Sequence, residues 1–283
     1  MDTVDTHSIT MAAIAALAAC GLALAEGALP EPVREYVNCS ADGSSWPYLL
    51  QLPEGEPQAI LVYLHGHYAD ERQGMALGTY NDCFGKLRGE CLRRQWVYAC
   101  PYYGGNTWMN ALSESGLADL IGALGARWPG RPVYLCGGSM GGTSALIFAV
   151  RRPELLAGVA ALCPAGDIET YYAYVAASAD AGLGNIAAAI RTHYQVDGRA
   201  LGSELRDRSA CQQAERLGMP VYISHGDADT VIPIEGARRL VARLRELGAP
   251  LRYKEIAGGA HDAPVNEVQW AEVLDFVSAE AGR

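Results

Sequence analysis

Pro132-Val133-Tyr134-Leu135-Cys136-Gly137-Gly138-Ser139-Met140-Gly141-Gly142-Thr143-Ser144-Ala145-Leu146-Ile147-Phe148-Ala149-Val150 is the stretch that decides how this 283-residue chain is read. An apolar run of strand character meets a serine boxed in by glycines, and a run of helix formers follows. A strand feeding a helix through so short a link must turn sharply at Ser139. That turn holds the serine in a strained backbone conformation, and the small residues at 137, 138, 141 and 142 remove the side-chain clashes that would forbid it. Ser139 is therefore expected to project above a sheet edge. The unpaired N–H groups and positive end of the helix beneath it would point to where negative charge develops.

Two later loops carry groups that could serve such a serine. Met219 to Ser224 reads as a buried strand, and His225-Gly226-Asp227-Ala228-Asp229-Thr230-Val231-Ile232-Pro233 follows it. Asp227 and Asp229 thus fall at the carboxyl end of a strand, where active-site groups collect in open parallel sheets. Near the C-terminus, Gly258-Gly259-Ala260-His261-Asp262 places a histidine in a glycine-rich loop. A serine hydroxyl is a poor nucleophile at neutral pH and needs an adjacent base, and an imidazole needs a carboxylate to fix its tautomer. Asp262 reads as a loop-capping or solvated residue. His65 and His225 each end an apolar run before a glycine and read as hydrogen-bonded structural histidines. His65-x-His67 has no third ligand at a recognisable spacing and no H-E-x-x-H accompanies it, so no metal and no cofactor are expected.

Together, Leu64-His65-Gly66-His67, Gly137 to Gly142, His225 to Pro233 and Gly259-Ala260-His261 resemble the α/β-hydrolases. Within that group the chain is similar to the catalytic domains of the prolyl oligopeptidase family and their single-domain esterase relatives. The resemblance runs from about Gln58 to the C-terminus. It implies the chain order nucleophile, acid, base, hence Ser139, Asp229 and His261, with the acid at the second aspartate rather than at Asp227. It also implies an oxyanion hole made by the backbone N–H of Met140 and that of His67.

Strand-like and helix-like runs alternate, which is the pattern of a doubly wound α/β fold: a mostly parallel sheet of about eight strands with helices on both faces. The periodicity predicts strands near 59–64, 95–100, 132–136, 157–163, 219–225 and 251–256, with an antiparallel edge pair near 34–40 and 46–52. Helices are predicted near 82–94, 113–127, 140–151, 235–247 and 266–280. Residues 26–283 read as one domain, with a short helical cap insertion near 166–217. Tyr171 and Tyr172 in that insertion, and Tyr102, Tyr103 and Trp108 after the strand ending at Cys100, are candidate substrate-binding residues. The insertion's tyrosines serve equally well as packing between cap and core.

The formal charge of −10, without any basic stripe, excludes a nucleic-acid binder. Met11 to Ala25 is a small-apolar run of signal-peptide length, too short to span a bilayer. Leu17-Ala18-Ala19-Cys20 reads as a lipoprotein box, which would attach the chain to a membrane through a lipidated Cys20. Ala23-Leu24-Ala25 reads as a site releasing a free product, although no Lys or Arg precedes the run. Either way, residues 1–25 are expected to direct the chain to a secreted or periplasmic location. Cys100, Cys136 and Cys163 read as buried hydrophobes, while Cys39, Cys83, Cys91 and Cys211 have pairings that spacing does not fix. The expected activity is a serine hydrolase acting on small-molecule or polymer-linked carboxylic esters through an acyl-enzyme. A serine peptidase of prolyl oligopeptidase type, or an acyltransferase using the same three residues, are the alternatives.

Overall fold

The computed structural model describes residues 29–195, 198 and 200–279, so the expectations for the apolar run and Cys20 lie outside the described residues. Eight strands form one sheet in the order β1-β2-β4-β3-β5-β6-β7-β8. β1 (Val33–Asn38) and β2 (Ser45–Gln51) are an antiparallel pair at one edge, and β2 runs antiparallel to β4 (Trp96–Pro101). From β4 onward all pairings are parallel, through β3 (Ala59–Leu64), β5 (Val133–Gly138), β6 (Gly158–Leu162), β7 (Val221–Gly226) and β8 (Leu251–Ile256). The order reverses around β3, so the chain winds outward in both directions from the middle of the sheet.

Side chains alternate across a strand, and in β3 both faces are apolar. Ile60, Val62 and Leu64 enter one core, shared with α2 (Ala111–Arg127), α3 (Met140–Arg151) and α7 (Glu235–Glu246). Ala59, Leu61 and Tyr63 enter a second core on the opposite face, shared with α1 (Asn81–Arg93) and α9 (Trp270–Ser278). Two layers of helix therefore enclose the sheet, and the strand ends at Leu64, Gly138, Leu162 and Gly226 meet at one rim. Between β6 and β7 the chain forms α4 (Ile168–Ala177), α5 (Ala181–Tyr194) and α6 (Leu201–Asp207).

Two predicted boundaries move. The last helix is not continuous from 266: a short α8 (Ala263–Asn266) comes first, and α9 starts at Trp270 after extended Gln269. The buried Trp270 indole donates to the Cys83 carbonyl at 3.0 Å, which pins the start of α9 against α1. The strand predicted from 219 begins at Val221, because Pro220 has no N–H to give a ladder. All seven cysteines among the described residues are free thiols, and Cys83, Cys91, Cys100 and Cys136 pack together in the second core.

Candidate active site

Ser139 stands between β5 and α3 with φ 57° and ψ −122°, a conformation that costs roughly 1–3 kcal/mol for a residue bearing a Cβ. The surroundings fix it. Its N–H donates to the Leu162 carbonyl at 2.9 Å, and its own carbonyl accepts from the Thr143 N–H at 2.9 Å and hydroxyl at 3.0 Å. The same hydroxyl accepts the Ala165 N–H at 2.8 Å, tying the turn to the loop after β6. Glycine is required at 141, where a Cβ would sit 2.0 Å from the Leu64 carbonyl oxygen, and at 137, where it would meet the Gly141 backbone at 2.4 Å. The α3 backbone can approach the end of β3 only because those positions are bare.

The loops after β7 and β8 bring the partners. His261 Nε2 lies 2.9 Å from Ser139 Oγ, and His261 Nδ1 lies 2.7 Å from Asp229 Oδ2. Asp229 is buried, and its other oxygen accepts the N–H groups of Val231 at 2.8 Å and Ile232 at 2.9 Å. Burial, the largest single influence, pushes its carboxyl up. Hydrogen bonds from His225 and His261, the His261 charge and the Ile232 N–H together outweigh that and hold it below the usual carboxylate range. The neighbouring Asp227 serves the loop instead, accepting the Gly258 N–H at 2.6 Å.

His225, read from the sequence as structural, has a part in the site. Its Nε2 lies 2.8 Å from the Ile232 carbonyl and 3.2 Å from Asp229 Oδ2, so it braces the acid from the side opposite His261. The (i, i+4) spacing of His225 and Asp229 was the signal, hidden because those residues straddle a strand end rather than a helix. His65 is structural as expected, with ring nitrogens 2.8 Å from the carbonyls of Gly66 and Tyr102.

Met140 opens α3, so its N–H is an end group without an intrahelical acceptor. The His67 N–H has no acceptor among the described residues, whereas its neighbours do: Gly66 N–H donates to Gln73 and Tyr68 N–H to Asn106, each at 2.8 Å. Those two side-chain bonds hold the loop after β3 open beside the serine. Burial drives the His67 imidazole down to about 4, and its Nδ1 is sealed from solvent without a partner. The ring is therefore neutral at physiological pH.

A cavity of about 340 Å³ opens at Ser139 and His261. The aromatic residues expected to line it do not. Tyr103 and Trp108 have no exposed surface: Tyr103 donates its hydroxyl to the His65 carbonyl at 2.8 Å, and Trp108 packs under His67 at 5.9 Å between ring centres. Tyr171 stacks on Trp108 at 5.4 Å and lines a neighbouring cavity of about 170 Å³. Tyr172 receives a hydrogen bond from Arg191 at 3.1 Å, and Tyr102 offers its carbonyl to His65. Tyr103 and Trp108 thus pack behind the loop after β3. The apolar cavity wall instead includes Tyr63, Tyr80, Phe84, Val265, Leu183 and Ile186, with Asp180 at the start of α5. Tyr63 and Phe84 were hidden from sequence reading because they look like ordinary core positions of a strand and a helix.

The arrangement joins a hydroxyl, an imidazole and a buried carboxylate in series. It suits nucleophilic acyl transfer. The profile of the family described as serine aminopeptidase, S33, matches residues 114–212, a stretch that includes Ser139 and stops short of Asp229 and His261. Esterase LipC of Mycobacterium tuberculosis is 40% identical over 57 residues, which are 20% of this chain and 14% of that protein. The fold matches that of Est1E from Butyrivibrio proteoclasticus with a TM-score of 0.60 at 17% identity, over 87% of this chain and 96% of that one. It matches a puromycin-hydrolyzing peptidase of Mycobacterium tuberculosis with a TM-score of 0.67 at 18% identity, over 90% of this chain and 41% of that one. By its sheet order, its strained serine turn and its likeness to these structures, the chain has the α/β-hydrolase fold.

Proposed function

We propose that the protein is a serine hydrolase cleaving carboxylic esters through an acyl-enzyme. One observation carries the reading: Ser139 Oγ, His261 and Asp229 form a continuous hydrogen-bonded series of 2.9 and 2.7 Å in the resting chain. His261 Nε2 accepts the Ser139 proton as Oγ attacks the ester carbonyl carbon, and the resulting oxyanion is received by the N–H groups of Met140 and His67. Collapse expels the alkoxide, which takes the proton from His261 and leaves as the alcohol. Water then gives its proton to His261 and attacks the acyl-Ser139 carbonyl. The second collapse releases the carboxylic acid and returns the proton to Oγ. Asp229 holds the imidazole in the tautomer that accepts at Nε2 and stabilises the imidazolium.

Esters are favoured over peptides by the cavity's aromatic and aliphatic walls. A peptidase reading draws support from Asp180, a carboxylate at the cavity wall that could face a substrate ammonium group. The reading extends to residues 1–25 as an export signal, checked by the mass of the mature N-terminus. The test of the activity is turnover of 4-nitrophenyl acyl esters against aminoacyl and prolyl anilides. Ester turnover lost in Ser139→Ala is expected, and anilide turnover exceeding it would replace the proposal with the peptidase reading.

A further inference from the structure

Tyr63 is an unusual residue to find on the wall of a catalytic cavity. It lies on β3, two residues before the loop that carries the His67 N–H, and only 2% of its surface is exposed. Its ring packs on Phe84 at 4.7 Å between centres, and Phe84 in turn meets Tyr80 at 6.3 Å. The hydroxyl reaches the residue preceding the nucleophile, 3.7 Å from where a Cβ of Gly138 would stand. Other buried tyrosine hydroxyls nearby are used: Tyr98 donates to the Gly74 carbonyl at 2.7 Å and Tyr103 to that of His65 at 2.8 Å. Tyr63 makes no hydrogen bond with any described residue, yet its oxygen is not among the sealed, unpartnered polar atoms of the interior. It keeps access to the cavity it lines. A phenol in surroundings this apolar, without a partner, costs stability that a phenylalanine would not.

We infer that the Tyr63 hydroxyl is a specificity-determining group that hydrogen-bonds a heteroatom of the substrate's acyl portion, close to the scissile carbonyl. The position follows from Gly138: a hydroxyl beside the residue before Ser139 meets acyl atoms only a few bonds from the carbon that Oγ attacks. The acyl side follows from the order of the two half-reactions. The group that stays on Ser139 while alcohol leaves and water enters belongs on the most buried part of the lining, and Tyr63 and Phe84 are among its most buried side chains. Burial raises the Tyr63 hydroxyl well above the ordinary phenol range, so it remains a neutral donor and acceptor throughout the working pH range. The substrate class this selects is an acyl group bearing a hydroxyl, carbonyl or amide near the ester, in preference to a plain alkyl chain of the same size. This deepens the esterase reading and rests on it for the identity of the acyl group.

The test pairs 4-nitrophenyl butyrate with 4-nitrophenyl 3-hydroxybutyrate, in wild type and Tyr63→Phe. Wild type should prefer the hydroxylated ester by about three- to tenfold in kcat/KM, the range one buried neutral hydrogen bond commands. Tyr63→Phe should lose that preference, with kcat/KM for the two esters converging to within about twofold of each other, and melt no lower. A preference that survives Tyr63→Phe, or one absent from wild type, overturns the inference. Failure of the esterase reading looks different: neither ester is turned over by either protein. In that event the acyl floor is probed without turnover, by protection of Ser139 from a fluorophosphonate with phenylboronic acid and its 2-, 3- and 4-hydroxy isomers. At least one isomer should protect wild type at several-fold lower concentration than the parent, and Tyr63→Phe should equalise them; equal protection of wild type refutes the role of Tyr63.

Discussion

Gly141→Ala separates two effects that usually oppose each other in a helix. Alanine is favoured over glycine by about 1 kcal/mol in an ordinary helix interior. At 141, in the first turn of α3, the new methyl would sit 2.0 Å from the Leu64 carbonyl oxygen and 2.8 Å from that of His65. Both neighbours are backbone, so neither can swing aside, and α3 must back away from the end of β3. Overpacking of this kind costs about 1–3 kcal/mol and overrides the propensity gain. For a domain of this size that is a fall in melting temperature of roughly 2–10 °C. The same displacement separates the Met140 N–H, carried by α3, from the His67 N–H, carried by the loop after β3. Disabling one oxyanion donor costs about 100- to 1000-fold in kcat, so activity should fall by a comparable factor in protein that remains folded. Gly184→Ala is the control: it lies within α5 and a Cβ there meets nothing within 4 Å, so the melting temperature should hold or rise. Differential scanning fluorimetry with 4-nitrophenyl ester kinetics reads both quantities. A Gly141→Ala protein that melts and turns over like wild type would refute the close-approach argument.

Asp229 is held below its ordinary value of 3.8, so the stability its ionised form contributes is complete above about pH 4 and is lost as pH falls toward the lower folded-state value. The destabilisation caused by Asp229→Asn should therefore be constant at neutral pH and narrow in acid, as followed by urea melts across pH 3–7; a gap that widens in acid contradicts this. His67 is a depressed base, so the unfolded chain binds more protons than the folded one between 6.5 and about 4, and stability rises with pH across that window. His67→Asn should flatten that part of the melting-temperature profile; an unchanged slope would show that the ring is not held neutral. Thr143→Val keeps shape but leaves the buried Ala165 N–H without its acceptor, so unfolding free energy should drop by about 1–3 kcal/mol in denaturant titrations. No loss would mean that the loop after β6 is not tied to the serine turn in this way.

The sequence spoke most clearly where backbone geometry restricts residue type. Gly137 and Gly141 are bare because other backbone occupies the space, and that restriction is visible in the letters themselves. Strand runs in a sheet buried on both faces are apolar throughout, so β3 through β7 stand out. What the letters do not carry is depth. Trp108 and Tyr103 follow a strand at the active rim, which suggested contact with ligand, yet both are the packed support on which the His67 loop rests. Tyr63 looked like any inward strand residue, and only three-dimensional packing shows that its side chain, while part of the second core, also borders a cavity. His225 shows the same limit: its bond to Asp229 depends on how the chain turns after β7. Periodicity reveals which face a side chain takes, but not whether that face is filled by protein or left for a substrate.

The central claim is that Ser139 becomes covalently acylated and that His261 enables it. Its most direct measurement is intact-protein mass spectrometry with peptide mapping, after acid quench during turnover of 4-nitrophenyl butyrate. A butyryl group located on Ser139 in wild type, and absent from Ser139→Ala and His261→Ala, is the expected result. Steady ester turnover by Ser139→Ala, or an acyl group mapped to another residue, would contradict the account.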